Sequence, residues 1–147
     1  MTLRQRLNHV GLKNISRMHR AVVHATGGRV GGTGFGMPVV ELTTVGRKSG
    51  LPRSVMLTAP IVEGDRVVLV ASKNGDDRHP DWYRNLLAQP EADLTISGQR
   101  RAVRARPASP DEKADLWPRV IAAYNGYATY QSRTQRDIPL VICDPRS

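Results

Sequence analysis

The chain has 147 residues, the length of one domain, and its 39% of hydrophobic residues is enough for one buried core. The formal net charge is +9, from 22 Lys and Arg against 13 Asp and Glu, so an anionic partner is expected: a phosphorylated ligand, an acidic membrane surface or nucleic acid. The single cysteine, Cys143, excludes an internal disulfide framework and a CxxC metal site, and no apolar run reaches the roughly 18–20 residues of a membrane span.

The first 26 residues predict an amphipathic helix with one basic face. Apolar residues recur at helical spacing from Leu3 to Val22, and residues 1–40 contain no acid at all. Such a helix either packs on the domain or lies on an anionic membrane surface, and both alternatives stay open. The segment lacks the uninterrupted apolar centre of a secretory signal, so we expect a cytoplasmic protein.

The segment 27–37 is predicted to be a glycine-rich loop. Six of the ten residues in GGRVGGTGFG are glycine, too many for a helix or a central strand. The spacing does not match the dinucleotide fingerprint, because no strand precedes it, and no Gly-Lys-Ser/Thr ends it as in a phosphate-binding loop.

Predicted strands and helices fill the remainder of a single domain over residues 1–147. The predicted strands cover 38–45, 54–62, 66–71, 92–97, 101–106 and 138–143. Helices are predicted at 80–88 and after a capping box at Ser109, with Pro118 kinking or restarting the second helix. Because most strands are neighbours in sequence, we predict an α+β fold with a mostly antiparallel sheet or barrel.

The turn TTVGRKSGLPR at 43–53 is the strongest candidate site. Arg47, Lys48 and Arg53 surround two glycines, whose backbone amides can approach an anion that the cations neutralise. A phosphate or polycarboxylate would suit this turn; the alternative is a solvated hairpin turn with incidental cations.

Further along the chain, three weaker candidates follow. The first is the loop that begins at Ser72 and Lys73, directly after a predicted strand. The second is His79, which as a lone histidine is more often structural than a ligand. The third is a set of tyrosines at a spacing of three, which would share one helix face as a pocket wall or as packing: Tyr124, Tyr127 and Tyr130.

Two classes of function are not favoured by these residues. The chain has no HExxH and no second histidine near His79, so we expect no metal site. Aromatic residues make up only 5% of the chain and no recognised nucleic-acid motif is present, so we expect no nucleic-acid partner.

Three ordered segments within residues 38–145 are informative together: LTTVGRKSGLPR, VASKNGDDRHPDWYRNLLAQPEADLTI and WPRVIAAYNGYATYQSRTQRDIPLVICDP. They resemble the deazaflavin (coenzyme F420)-dependent nitroreductase and quinone reductase family of actinobacteria, and the resemblance covers roughly residues 38–145. It implies a split β-barrel like that of the flavin-binding pyridoxamine phosphate oxidases. It also implies an oxidoreductase that transfers a hydride from F420, a deazaflavin with a phosphate and a polyglutamate tail, to a quinone or nitroaromatic acceptor.

The resemblance also implies roles for individual residues. The expected cofactor contacts are Arg47, Lys48, Ser49, Arg53, Ser54, Val55, Met56, Leu57, Thr58, Val70, Ala71, Ser72, Lys73, Asp81, Trp82, Tyr83, Arg84, Asn85 and Tyr127. The acceptor pocket is expected to include Tyr124, Tyr130 and Ser72. Tyr127 or Tyr130 is expected to stabilise the charge that develops on the reduced oxygen, with Ser72 assisting.

The resemblance leaves several questions about cofactor and acceptor open. The alternatives are a split-barrel protein that binds FMN or haem, and a module that holds the deazaflavin or a lipid without catalysis. A lipid quinone such as menaquinone would give the basic helix a purpose, namely peripheral contact with the anionic inner face of the cell membrane. The oligomeric state is not indicated.

Overall fold

The computed structural model describes residues 33–146, and these form one antiparallel sheet flanked by helices. The strands are β1 (Thr33–Gly34), β2 (Met37–Val45), β3 (Pro52–Thr58), β4 (Ile61–Glu63), β5 (Arg66–Val70), β6 (Glu91–Ile96), β7 (Gln99–Pro107) and β8 (Leu140–Pro145). The helices are α1 (Asp81–Ala88), α2 (Pro110–Ala123) and α3 (Gly126–Ser132), and a 3₁₀ turn spans Lys73–Gly75. The predicted helix at 1–26 lies outside the described residues.

The sheet is a split barrel, as the family resemblance implied. Its strands run in the order β3-β2-β6-β7-β8-β5-β4, with β1 paired to β2, and every pairing is antiparallel. The strands at the two ends of this order, β3 and β4, are joined directly through Ala59 and Pro60. The prediction of one strand over 54–62 is therefore wrong. The chain leaves one end of the sheet and enters the other at Pro60, which has no N–H to donate to a ladder.

Strands β5 and β8 are buried on both faces, which places them at the centre of the packing. Successive side chains of a strand point to opposite faces. Val67 accordingly packs in a cluster that α1 closes with Trp82, whereas Val68 packs in a second cluster that α2 and α3 cover with Val120 and Tyr127. This arrangement puts α1 on one side of the sheet and α2 and α3 on the other.

Two-residue turns join the short hairpins. The predicted turn across Gly98 is confirmed: Ser97 and Gly98 have φ of 50° and 77°, the consecutive positive values of a type I′ turn. Phe35 and Gly36 adopt the same arrangement, with φ of 54° and 79°, between β1 and β2. The predicted loop at 27–37 is thus wrong at its end, because a two-residue edge strand tolerates the glycines that a central strand would not.

Helix α2 begins as the sequence indicated. The Ser109 hydroxyl accepts from the Glu112 backbone N–H at 3.2 Å, and the Glu112 carboxylate accepts from the Ser109 backbone N–H at 2.9 Å. The helix does not restart at Pro118 but runs on to Ala123. The last strand starts later than predicted, at Leu140, because the Ile138 amide donates to the side-chain oxygen of Gln131 on α3 instead of to a strand.

Candidate active site

Two adjoining cavities open along β3 and share the side chains of Val55, Lys73, Pro80 and Trp82. The first, the basic lobe, has a volume of about 530 Å³. Its other lining residues are Thr44, Gly46, Arg47, Lys48, Ser49, Arg53, Ser54, Asp81 and Asn85. The second, the tyrosine lobe, has a volume of about 460 Å³. Its other lining residues are Phe35, Val39, Met56, Leu57, Thr58, Val70, Ser72, Asn74, Tyr124, Tyr127 and Tyr130.

The turn between β2 and β3 forms the outer wall of the basic lobe. Its backbone closes when the Gly46 amide donates to the Leu51 carbonyl and the Gly50 amide donates to the Gly46 carbonyl, both at 2.8 Å. A Cβ at position 46 would lie 2.7 Å from the Ser49 hydroxyl oxygen, so only glycine fits there without a shift. Gly50 has a φ of 73°, which glycine adopts readily. The two glycines therefore hold the turn that presents Lys48.

Three cations line the basic lobe without a salt bridge to any carboxylate in the described part of the chain. Lys48 and Arg53 are exposed, and Lys73 reaches the lobe from the opposite wall. None of the three forms an ion pair with any residue in 33–146. Unpaired cations around a concave surface create a positive field that favours a phosphate or carboxylate.

Arg47, in contrast, forms hydrogen bonds with two residues of helix α1. Its backbone N–H and its Nη1 both donate to the Asn85 side-chain oxygen, at 3.1 and 2.9 Å, and its Nη2 lies 3.3 Å from the Asp81 carboxylate. Asn85 is buried and donates in turn to the Thr44 hydroxyl at 3.2 Å. This network fastens the basic turn to α1, so Arg47 shapes the lobe while its charge is already partly neutralised.

The tyrosine lobe has an aromatic wall formed by Tyr127 and Tyr130 of α3 and by Tyr124, which lies between α2 and α3. The prediction that all three tyrosines share one helix face is therefore wrong for Tyr124. The ring of Tyr124 stacks on Phe35 at 4.9 Å and meets the ring of Tyr127 edge-on at 5.3 Å. The rings of Tyr127 and Tyr130 lie 6.1 Å apart. Aromatic pairs at these separations attract each other through their quadrupoles. They leave an apolar cavity with hydroxyl groups at its edge.

The hydroxyl of Tyr127 is buried and already engaged. It hydrogen-bonds with the Thr58 hydroxyl at 2.9 Å and donates toward the Met37 sulfur at 3.7 Å. Burial raises the pKa of Tyr127, and the Thr58 hydrogen bond opposes this shift. Interaction with the Tyr124 hydroxyl, followed by burial, raises the pKa of Tyr130. Both hydroxyls are therefore protonated at neutral pH, and Tyr130 is the less buried of the two.

Gly126 makes room for the Tyr124 ring. A Cβ at position 126 would overlap the ring carbons and the hydroxyl of Tyr124, so any side chain there would displace the ring from Phe35. The sequence pattern drew attention to the three tyrosines but not to this glycine. A glycine two residues after an aromatic residue has no distinctive signal of its own.

Most of the sequence-predicted site residues line one of the two lobes, but three do not. Ala71 is completely buried in the core, and Tyr83 packs in the same cluster. Arg84 is exposed and lines neither lobe. Around these three residues, neighbouring side chains face different directions, so some of them turn away from the cavities. Residues 53–58 of β3, in contrast, all line one lobe or the other.

Two lining residues, Phe35 and Val39, are not predicted as site residues from the sequence. The other lining residues without a predicted cofactor contact lie inside the candidate segments. Thr44 and Gly46 belong to the turn at 43–53, Asn74 to the loop after β5, and Pro80 directly follows His79. Phe35 and Val39 carried no local signal, because they reach the tyrosine lobe only through the β1–β2 hairpin.

Residues 33–146 contain neither a metal-binding cluster nor a membrane-spanning helix. No group of three or more His, Cys, Asp or Glu side chains in this range is arranged to hold a metal ion. No helix in this range is both long enough and apolar enough to cross a lipid bilayer.

The chain is similar in sequence and structure to known proteins of one family. The family model for F420H(2)-dependent quinone reductase matches residues 15–145. The F420H(2)-dependent quinone reductase Rv1261c of Mycobacterium tuberculosis is 40% identical over 142 residues, which cover 94% of each chain. The solved structure of the F420-H2 dependent reductase FDR-A is 37% identical, with a TM-score of 0.66, and the match covers 73% of this chain and 94% of that one.

A more distant solved structure shares the fold alone. The haem-binding protein from Mycobacterium smegmatis is 20% identical, with a TM-score of 0.59, over 76% of this chain and 47% of that one. Since the family model spans nearly all of the sequence and a relative matches it at 40% identity along almost its full length, this chain belongs to the F420H2-dependent quinone reductase family.

Proposed function

We propose that each lobe binds one of the two reactants: the basic lobe binds the anionic part of F420H2, and the tyrosine lobe binds the quinone. Family membership makes the protein an oxidoreductase that transfers a hydride from F420H2 to a quinone. The assignment of each partner to a lobe is our inference from the residues that line them.

One observation carries this assignment: a wall of unpaired cations adjoins a wall of aromatic rings, and the two cavities share Val55 and Trp82. A ligand with a charged tail and a planar ring would place its tail beside Lys48, Arg53 and Lys73 and its ring at the shared wall. A planar acceptor in the tyrosine lobe would then face that ring. Such placement favours reaction chiefly by orientation.

The chain's own residues have distinct tasks in this arrangement. The bound deazaflavin supplies a hydride donor restricted to two-electron chemistry. Val55 and Trp82 present an apolar surface that excludes water from the shared wall. Tyr130 holds a protonated hydroxyl beside the tyrosine lobe, where it donates a hydrogen bond to a quinone oxygen as negative charge develops there.

Cofactor titration tests the proposal most directly. Purified protein is titrated with oxidised F420 and, in parallel, with FMN, and binding is followed by fluorescence polarisation. We expect tight F420 binding and weak FMN binding, followed by quinone-dependent oxidation of F420H2. A preference for FMN would discard the proposed electron donor. F420 binding without turnover of any quinone would instead indicate the non-catalytic module.

For the acceptor, we propose a bicyclic quinone of the menaquinone type, with nitroaromatic compounds as incidental acceptors. The tyrosine lobe's volume of about 460 Å³ suits a bicyclic ring, and stacked aromatic side chains favour an electron-poor planar molecule. Steady-state kinetics with menadione, a benzoquinone and a nitroimidazole would rank the three. A higher kcat/KM for the nitroimidazole than for both quinones would contradict this proposal.

We also propose that residues 1–26 bring the protein to an anionic membrane surface, where a lipid quinone resides. The support is the sequence pattern of one apolar face and one arginine face. Full-length protein should co-sediment with vesicles containing phosphatidylglycerol and not with neutral vesicles. Equal recovery with both vesicle types would contradict membrane recruitment by charge.

A further inference from the structure

The loop after β5 stands between the two lobes and has a backbone that needs external support. Lys73 lines both lobes, while Ser72 and Asn74 line the tyrosine lobe. Lys73 and Asn74 have φ of 45° and 55°, in the left-handed region that residues with a Cβ seldom occupy. Such a conformation persists only where the surrounding structure enforces it.

Arg136, which lies outside both lobes, holds the backbone of this loop in place. Its Nη1 donates to the Ala71 carbonyl at 3.0 Å, its Nη2 donates to the Ser72 carbonyl at 2.9 Å, and Nε and Nη2 both donate to the Asp76 carbonyl, at 3.1 and 3.0 Å. Nη1 also lies 2.9 Å from His79 Nδ1, which must be the acceptor because a guanidinium has no lone pair to offer. These five contacts engage all five donors of the side chain.

Arg136 is itself held by residues at and just beyond the end of α3. Its carbonyl accepts from the Gln131 side-chain nitrogen at 2.6 Å, and its amide donates to the Thr134 hydroxyl at 3.1 Å. The backbone of Gly75 lies so close to α3 that a Cβ would sit 2.6 Å from the Tyr130 carbonyl oxygen. Through these contacts Arg136 connects the loop that carries Lys73 to the helix that carries Tyr130.

We propose that Arg136 is a positioning residue for hydride transfer, and this inference rests on the proposed function. It touches neither lobe. By donating hydrogen bonds to the carbonyls of Ala71, Ser72 and Asp76, it fixes the positions of Ser72 and Lys73 relative to Tyr130. Misplacing reacting groups by about 1 Å can lower the rate roughly 100-fold. Weakening the hydrogen bonds of Arg136 should therefore lower kcat.

The planar shape of the guanidinium makes Arg136→Lys a discriminating variant. Lysine keeps the charge but offers three donors from one point, which cannot reach carbonyls on several sides. The matched control is Arg66→Lys, at the opposite end of β5, where Arg66 forms a two-pronged pair with Asp144 at 2.7 and 2.9 Å. Both variants lose a forked arginine contact, but only one touches the loop.

Two readouts are needed, and the first requires no cofactor. Hydrogen exchange of the free protein monitors the Gly75 and Asp76 amides, which donate to the Ser72 and Lys73 carbonyls. The second readout is kcat with F420H2 and menadione, both saturating, alongside the thermal midpoint. We expect Arg136→Lys to exchange these amides faster and to lose roughly 10- to 100-fold in kcat. Arg66→Lys should change neither by more than about twofold at a similar loss of thermal midpoint.

The outcomes separate this inference from the proposed function. Unchanged exchange in Arg136→Lys, or faster exchange with a kcat like that of the control, overturns the positioning role. Absence of quinone reduction by the unmodified protein overturns the proposed function, and with it the catalytic part of this inference. If Arg136→Lys does not fold, His79→Leu removes one of the four acceptors and should produce smaller changes in the same direction; no change in it overturns the inference.

Discussion

The unpaired cations of the basic lobe are the residues whose removal should act most directly on cofactor binding. Replacing Lys48 and Arg53 together by glutamine should weaken F420 binding by roughly 5- to 30-fold at low ionic strength, since an exposed charge contact contributes up to about 1 kcal/mol. The loss should shrink in high salt, which screens the attraction. Fluorescence polarisation at two salt concentrations measures both effects.

Arg84→Gln is the matched control for that pair, because Arg84 is an exposed cation on α1 that lines neither lobe. It should leave F420 affinity nearly unchanged. An equal loss in the control would mean that overall charge, and not the lobe, attracts the cofactor. Arg47 is a poor choice for this experiment, because its removal would also break the contacts with Asn85 and Asp81.

Substitutions of Tyr130 and Tyr127 should have different effects, the first on catalysis and the second on stability. Tyr130→Phe should lower kcat with menadione by roughly tenfold or more while F420 affinity is kept, because it removes a donor near the acceptor. Tyr127→Phe should lower the free energy of unfolding by about 1 kcal/mol, because it removes a buried hydrogen bond with Thr58. Kinetics and urea denaturation on both variants check this. A reversed pattern would assign the donor role to Tyr127.

Gly126 should determine how well the tyrosine lobe accepts a quinone. Gly126→Ala would force the Tyr124 ring off Phe35 and change the shape of the lobe. We expect KM for menadione to rise several-fold with little change in F420 affinity. The control is Thr129→Ala, at an exposed position on the same helix. A change in F420 affinity equal to the change in KM would contradict this assignment.

At the scale of structural elements, the loop after β5 should make stability depend on pH through His79. Burial, then the charges of Arg136 and Arg84, lower the pKa of His79, and the ring of Tyr83 packs beside it at 4.8 Å. The unfolded chain therefore takes up a proton first as pH falls through about 6.5. Above that pH, His79 should not affect the free energy of unfolding. As the pH falls from about 6.5 to the lower pKa of His79 in the folded state, the free energy of unfolding should decrease.

His79→Asn tests this linkage, because its side-chain oxygen can replace Nδ1 as the acceptor for Arg136 without titrating. Urea midpoints between pH 7.5 and 5.5 should fall less in this variant than in the unmodified protein. Carboxylates such as Glu112, whose pKa is lowered to about 2 chiefly by its Arg106 hydrogen bonds, titrate below this window. Identical pH profiles for the two proteins would contradict a neutral His79 in the folded state.

At the scale of the whole molecule, Cys143 should report on opening of the sheet. It lies on β8 between Val67 of β5 and Ala105 of β7, and burial raises the pKa of its thiol to about 12. Alkylation requires the thiolate and access to it, and the folded protein provides neither. Mass spectrometry should find Cys143 unlabelled by iodoacetamide in buffer and labelled in denaturing urea. Rapid labelling in buffer would contradict a closed β5-β8-β7 sheet.

Local features of the fold could be predicted because their causes lie within a few residues. The capping box of Ser109 and Glu112, the turn across Gly98 and the glycines of the basic turn each depend on near neighbours. The strand over 54–62 was mispredicted for the complementary reason. Its division at Pro60 follows from the chain crossing between the two ends of the sheet, which no local pattern records.

By itself, the sequence determined the local elements, the resemblance that implied the barrel and the cofactor, and the segments that form the lobes. The tertiary structure alone decided which members of those segments face a cavity. It engaged Arg47 with Asn85, left Lys48 and Arg53 unpaired, and brought Arg136 to the loop after β5. The physical reason is that these contacts join residues 38 to 65 positions apart. Such hydrogen bonds exist only once the barrel has closed, so their partners cannot be read from spacing along the chain.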